Sequence, residues 1–128
     1  MRSREAAMKA NTTAFCKAWE EESGTMKNAE VKKLSAERRD SLKAAFGRVQ
    51  ATNAQVRKDS DPYIQTLKDL KSYFDNDLTP AGITACKPLI ASATEASTVV
   101  KRDLQNMAAE IKTVQDLLAS TNVAEATK

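Results

Sequence analysis

Asp59, Asp61, Asp69, Asp75 and Asp77 crowd into one part of the chain. Paired carboxylates can move protons or hold a hard cation. A calcium loop, however, needs oxygen ligands in fixed order, with Gly at its sixth position and Glu at its twelfth. The run Asp75-Asn76-Asp77-Leu78-Thr79-Pro80 has neither, so it reads as a turn with capping residues. Asp59 and Asp61 suit a helix turn beside Pro62, where negative charge meets the helix dipole.

The other reactive side chains are sparse. There are two cysteines, Cys16 and Cys86, and no histidine. Neither cysteine belongs to a CxxC pair, and no cluster offers the roughly four ligands of a zinc site. A histidine base, a Gly-rich phosphate loop and a nucleophile elbow are all missing. The sequence therefore speaks against an enzyme and implies no metal or cofactor. The residues left as a candidate interaction surface are Trp19 and the basic patch Lys32, Lys33, Arg38 and Arg39. Such cations could meet phosphates of lipid or nucleic acid. Glu30, Glu37 and Asp40 interleave with them and suit ordinary i to i+4 pairing on a solvated face. Trp19, with Phe15, reads either as an anchor for a partner or as the bolt that fastens the first helix.

Elements long enough to position these groups must be helical. Of 128 residues, 41% are hydrophobic and only 5% aromatic, with three Gly and three Pro. Few aromatics and many alanines suit a narrow helix–helix seam better than a thick core. The formal net charge of +3 comes from 20 basic and 17 acidic residues. That mixture is a solvated surface rather than the lopsided one of a nucleic-acid binder. No apolar run is long enough to cross a membrane, and MRSREAAMKA lacks the apolar stretch of a signal peptide.

Residues 3–22 read as a first helix, with Ser3 as a cap and Gly24 as a left-handed stop. A long second helix spans 29–75, capped by Asn28. Its apolar row (Leu42, Phe46, Val49, Asn53, Val56, Ser60, Tyr63, Leu67, Leu70, Phe74) steps by four and three, the period of a coiled coil. The slip between Leu34 and Leu42 predicts a stutter near Arg38. The third helix, 79–118, carries Ile83, Cys86, Ile90, Ala93, Ser97, Val100, Leu104, Met107, Ile111, Val114 and Leu118 at the same period. Thr79 caps it, Pro80 fills its first turn, and Pro88 predicts a bend or a loose opening section. The tail 119–128 loses the period and is expected to fray.

Pro62 allows two readings. A continuous seam across it argues for one kinked helix. A break at Ser60-Asp61 would instead give a compact four-helix bundle. The unbroken phase favours the first: an all-α fold built as an elongated antiparallel hairpin, with the short helix packed at one end. Asn76 then ends helix two in a left-handed conformation at the hairpin tip. In such a hairpin Cys16 and Cys86 lie about 50 Å apart along the axis, beyond the reach of a disulfide.

The stretch PYIQTLKDLKSYFDNDLTPAGIT also resembles the pattern PVLxxFxDxVLxLKHNLNxxAI of a bacterial family, domain of unknown function 2959. Pro62, Ile64, Leu67, Asp69, Leu78 and Ile83 fall in register with it. Upstream, AFCKAWEEE resembles the family's LFxEWxxEL through Phe15 and Trp19. The resemblance implies an all-helical protein without an established activity. Many members begin with a lipoprotein-type signal, which implies the bacterial envelope; this chain matches the family's later part and lacks that leader. The family's histidine is absent, since Asp75 and Asn76 stand in that region, so no role for it carries over. The expectation is a non-enzymatic structural or protein-interaction module with a protein partner or a second copy. Weak binding of anionic surfaces through the basic patch is the alternative, with peripheral membrane contact but no spanning segment.

Overall fold

The computed structural model describes residues 2–126, with side chains to residue 119. Within them the chain is all-α, with no strand: α1 (Arg2–Gly24), α2 (Ala29–Asn76) and α3 (Pro80–Ala126). α3 continues through residues 119–126, the segment in which the sequence loses its period. The last two residues of the tail expected to fray lie outside the described residues. α2 passes through Pro62 without a break, and α3 passes through Pro88.

The helix starts follow from their caps. Asn28 Oδ1 accepts the amides of Glu30 at 2.9 Å and Val31 at 3.2 Å. Thr79 Oγ1 accepts the Gly82 amide at 3.1 Å, and Pro80 opens the helix. α1 begins at Arg2, so Ser3 lies inside the helix rather than capping it. The ends differ from expectation. Gly24 and Asn76 do not turn left-handed, for no described residue has a positive φ. α1 instead tightens into its last turn, with the Thr25 amide on the Glu22 carbonyl at 3.1 Å and Met26 on Ser23 at 3.2 Å. At the end of α2, Asn76 Nδ2 donates back to the Ser72 carbonyl at 2.8 Å.

Two compact units divide the chain. The first comprises Met1–Ala51 with Ala109–Lys128, and the second Thr52–Ala108. The first holds a core of Leu42, Ala45, Val49 and Val114, against which Met8, Trp19, Phe46, Leu117 and Leu118 pack. Full burial of each such Leu or Val contributes about 1.5–3 kcal/mol. The row of Leu42 and Val49 keeps its phase back to Ser35, seven residues earlier, so no stutter is needed. The Trp19 indole donates to Ser35 Oγ at 2.8 Å, and the Ser23 and Ser35 hydroxyls meet at 2.7 Å. Leu34, one residue earlier, is exposed. Arg48 of α2 donates to Glu110 of α3 at 3.0 Å.

Among the described residues, the second unit buries three hydrophobic side chains: Val56, Cys86 and Ala93. Gly82 and Asp103 are buried with them. The α3 seam is therefore turned relative to the apolar row read from sequence. Cys86 and Ala93 lie inside, with Val100 half-buried, as their spacing requires. Beside them Gly82 and Asp103 are buried and Ala96 and Ser97 half-buried, while Ile83, Ile90 and Leu104, like Leu89, are exposed. Ile83, Ile90 and Leu104 stand at the margin, 41%, 39% and 42% exposed. Small residues in the seam let two backbones approach closely, which moves the bulkier isoleucines outward.

Candidate interaction surface

The sequence-selected cations do not gather into one open face. Lys32 is exposed. Lys33 pairs with Glu37 at 3.8 Å, one helical turn on. Arg39 lies 3.8 Å from Asp40, with its side chain only 17% exposed. Arg38 lines a small cavity with Trp19, Leu34, Leu42 and Leu117. Trp19 is fastened by its bond to Ser35 and stacks edge-on against Phe15, ring centroids 5.8 Å apart. Phe15 itself is exposed.

The aspartates are engaged locally. Gln65 donates to Asp69 at 2.9 Å, Lys71 pairs with Asp75, and the Thr79 hydroxyl donates to Asp77 Oδ1 at 2.7 Å. Tyr73 reaches Asp77 Oδ2 at 3.4 Å. Desolvation, then the neighbouring Asp77 and Cys86, raises the Tyr73 hydroxyl above the ordinary tyrosine value. The Gln55 amide, donating to Asp59 from one turn away, holds that carboxyl below its ordinary value. Asp103 of α3, close by, acts in the same direction. Asp103 is 4% exposed; its Oδ1 lies 3.4 Å from Arg102, while its Oδ2 is buried without a hydrogen-bond partner.

Among the described residues, no three His, Cys, Asp or Glu side chains come together to hold a metal, and no helix is long and apolar enough to cross a membrane. Both cysteines are free and buried. Cys86 lies against Tyr73, and Cys16 sits within the first unit.

The feature that sequence reasoning misplaced is apolar. Ile64, Leu67, Ile83, Ile90 and Leu104, all in the second unit, are exposed. A strict alternation of three and four puts four of these five in a closed seam. For one of them the sequence holds a signal: Gly82, one place before Ile83, is the small residue that is buried in its stead. The structure exposes an apolar margin on a two-helix unit, flanked on α3 by Lys87 and Lys101 and on α2 by both signs of charge, Arg57 and Lys71 with Asp61 and Asp75. No family model, curated protein or solved structure matches the chain.

Proposed function

We propose that this chain is a non-enzymatic helical module that acts by binding another protein chain, with α2 and α3 arranged as an antiparallel, coiled-coil-like hairpin. One observation carries the reading. The Thr52–Ala108 unit buries Val56, Cys86 and Ala93 while large apolar side chains at its margin remain in water. Two helices alone cannot cover both sides of their seam, and a protein partner supplies the missing side. The contacts between Tyr73 and Cys86 and between Asp59 and Asp103 support the antiparallel arrangement. The resemblance of the segment around Pro62 to an envelope family supports an envelope location in a bacterium. The pairs made by Lys33 and Arg39 weigh against a dedicated anion-binding face on α2.

Amide hydrogen exchange read by mass spectrometry tests the module reading. In the isolated chain, amides of Thr52–Ala108 should exchange about tenfold faster, or more, than those around Leu42–Val49 and Val114. Equal protection in both units would mean that the second needs no partner, and the reading would fail.

A further inference from the structure

In the second unit, Asp69, Leu70 and Tyr73 of α2 meet Ala85, Cys86 and Leu89 of α3 along one cleft. Relative to the central rows of Leu70 and Cys86, these are positions three after and one before. At 3.6 residues per turn they share one side of each helix. Positions four after and one after the central rows therefore lie on the opposite flank. Those positions hold Ile64 and Leu67 on α2, and Ile83, Ile90 and Leu104 on α3, all exposed. The outer row of the same flank carries Arg57 and Lys71 on α2, and Lys87 and Lys101 on α3. No acidic residue stands in that row of either helix within the unit. On α2 each cation has an aspartate one turn on, Asp61 after Arg57 and Asp75 after Lys71, and Lys71 pairs with Asp75, so the basic margin is carried by Lys87 and Lys101 of α3.

The first unit shows what such a pair of rows receives. There the equivalent positions four after the central rows are Phe46 and Leu118. Both pack with Met8 and Trp19 of α1 against the core. An amphipathic helix covers these rows in the first unit, and none of the described residues covers them in the second.

We propose that this flank of Thr52–Ala108 is a docking groove for an amphipathic α-helix with acidic margins, supplied by a partner protein. The proposal rests on the interaction-module reading and names the chemistry of the partner. Against a second copy, two-fold pairing of α3 on α3 through this flank would bring Lys87 and Lys101 of one copy against those of the other. The packing of α1 on the equivalent rows of the first unit favours a helix over a lipid surface as the occupant.

Two labelled synthetic helical peptides about three heptads long test this, titrated against the full chain by fluorescence anisotropy. Both carry Leu at a and d; one carries Glu at e and g, the other Lys. The Glu peptide should bind about tenfold or more tighter than the Lys peptide, with the difference narrowing as salt is raised. Ile90→Gln with Leu104→Gln should lose about tenfold of that affinity, and Lys87→Glu with Lys101→Glu should reverse the order of the two peptides. All four sites are exposed, and circular dichroism is the check that each variant stays folded. Equal affinity for both peptides would overturn the proposal, as would indifference to the Ile90 and Leu104 changes. Two other results would also overturn it: binding to phosphatidylserine vesicles but to neither peptide, and a dimer of the chain abolished by the same substitutions. Unequal exchange protection of the two units together with a failed peptide preference would sink this proposal alone. Equal protection would sink the module reading beneath it.

Discussion

Gly82 occupies a place where the backbone of α3 passes against the end of α2. A Cβ added there would lie 2.5 Å from the Asp77 carbonyl oxygen and 2.8 Å from the carboxyl carbon of the same residue. Asp77 cannot easily withdraw, since its carboxylate accepts from Thr79 and its amide bonds the Tyr73 carbonyl at 2.9 Å. In an ordinary helix, Gly→Ala stabilises by about 0.5–1 kcal/mol. Here we expect Gly82→Ala to destabilise by about 1–3 kcal/mol in urea unfolding, because the clash involves backbone. A gain in stability would show that the approach relaxes freely. This residue was not legible in the sequence, where the turn was read from Asp75, Asn76 and Pro80. The caps Asn28 and Thr79 were legible, because a side-chain oxygen just before a helix has few other uses. Ser35 and Asp103 were missed for one physical reason. A row of apolar residues does not announce the polar positions that share its seam, and these two are identified only by what they touch: Trp19 and Ser23 for one, Asp59 for the other.

The continuity of α2 was legible in the phase of its row, which the structure keeps from Ser35 through Val56. Pro62 nevertheless has no amide to donate to the Lys58 carbonyl, and its ring crowds that group. It is exposed, so the substituted side chain would disturb no packing. Thr66 Oγ1 donates to the Pro62 carbonyl at 3.0 Å, a bond that alanine leaves in place. Pro62→Ala should therefore raise stability by about 1–3 kcal/mol, read as a higher midpoint in thermal melts followed at 222 nm. An unchanged or lower midpoint would mean that the proline is compensated by stiffening the unfolded chain. The face presented by α3 was less legible. Periodicity fixes which residues share a stripe, but not the few tens of degrees that separate the centre of a seam from its edge. Gly82 decides that rotation at the start of α3, because it permits a close approach that Ile83 would obstruct. The basic cluster on α2 was legible as composition only, because the exposure of Lys32 and the burial of Arg39 depend on what packs beside each.

At the scale of the whole molecule, the two units differ in what holds them. The first has three helices around Leu42, Ala45, Val49 and Val114; the second has two helices, a buried unpartnered carboxylate oxygen and an exposed apolar margin. The helices α2 and α3 each run through both units, yet a continuous helix does not by itself force joint unfolding. Each added residue contributes a propagation factor of only about 1–1.6, so a helix can melt in one segment and persist in another. Trp19 is the only tryptophan, and it lies in the first unit. Its fluorescence therefore reports that unit alone, while the far-ultraviolet signal reports every helix. In urea we expect the far-ultraviolet midpoint to fall about 1 M below the tryptophan midpoint, as a stability difference of a few kcal/mol and slopes of about 1–3 kcal/mol per molar imply. Coincident transitions would identify a single cooperative unit. The same experiment bears on the groove. A ligand that binds only the folded second unit stabilises it by about 2.7 kcal/mol at a hundred times its dissociation constant. The Glu-edged peptide should then draw the two midpoints together by raising the lower one, and leave the tryptophan transition where it was. A shift of the tryptophan midpoint alone would place the peptide on the first unit and remove the groove from consideration.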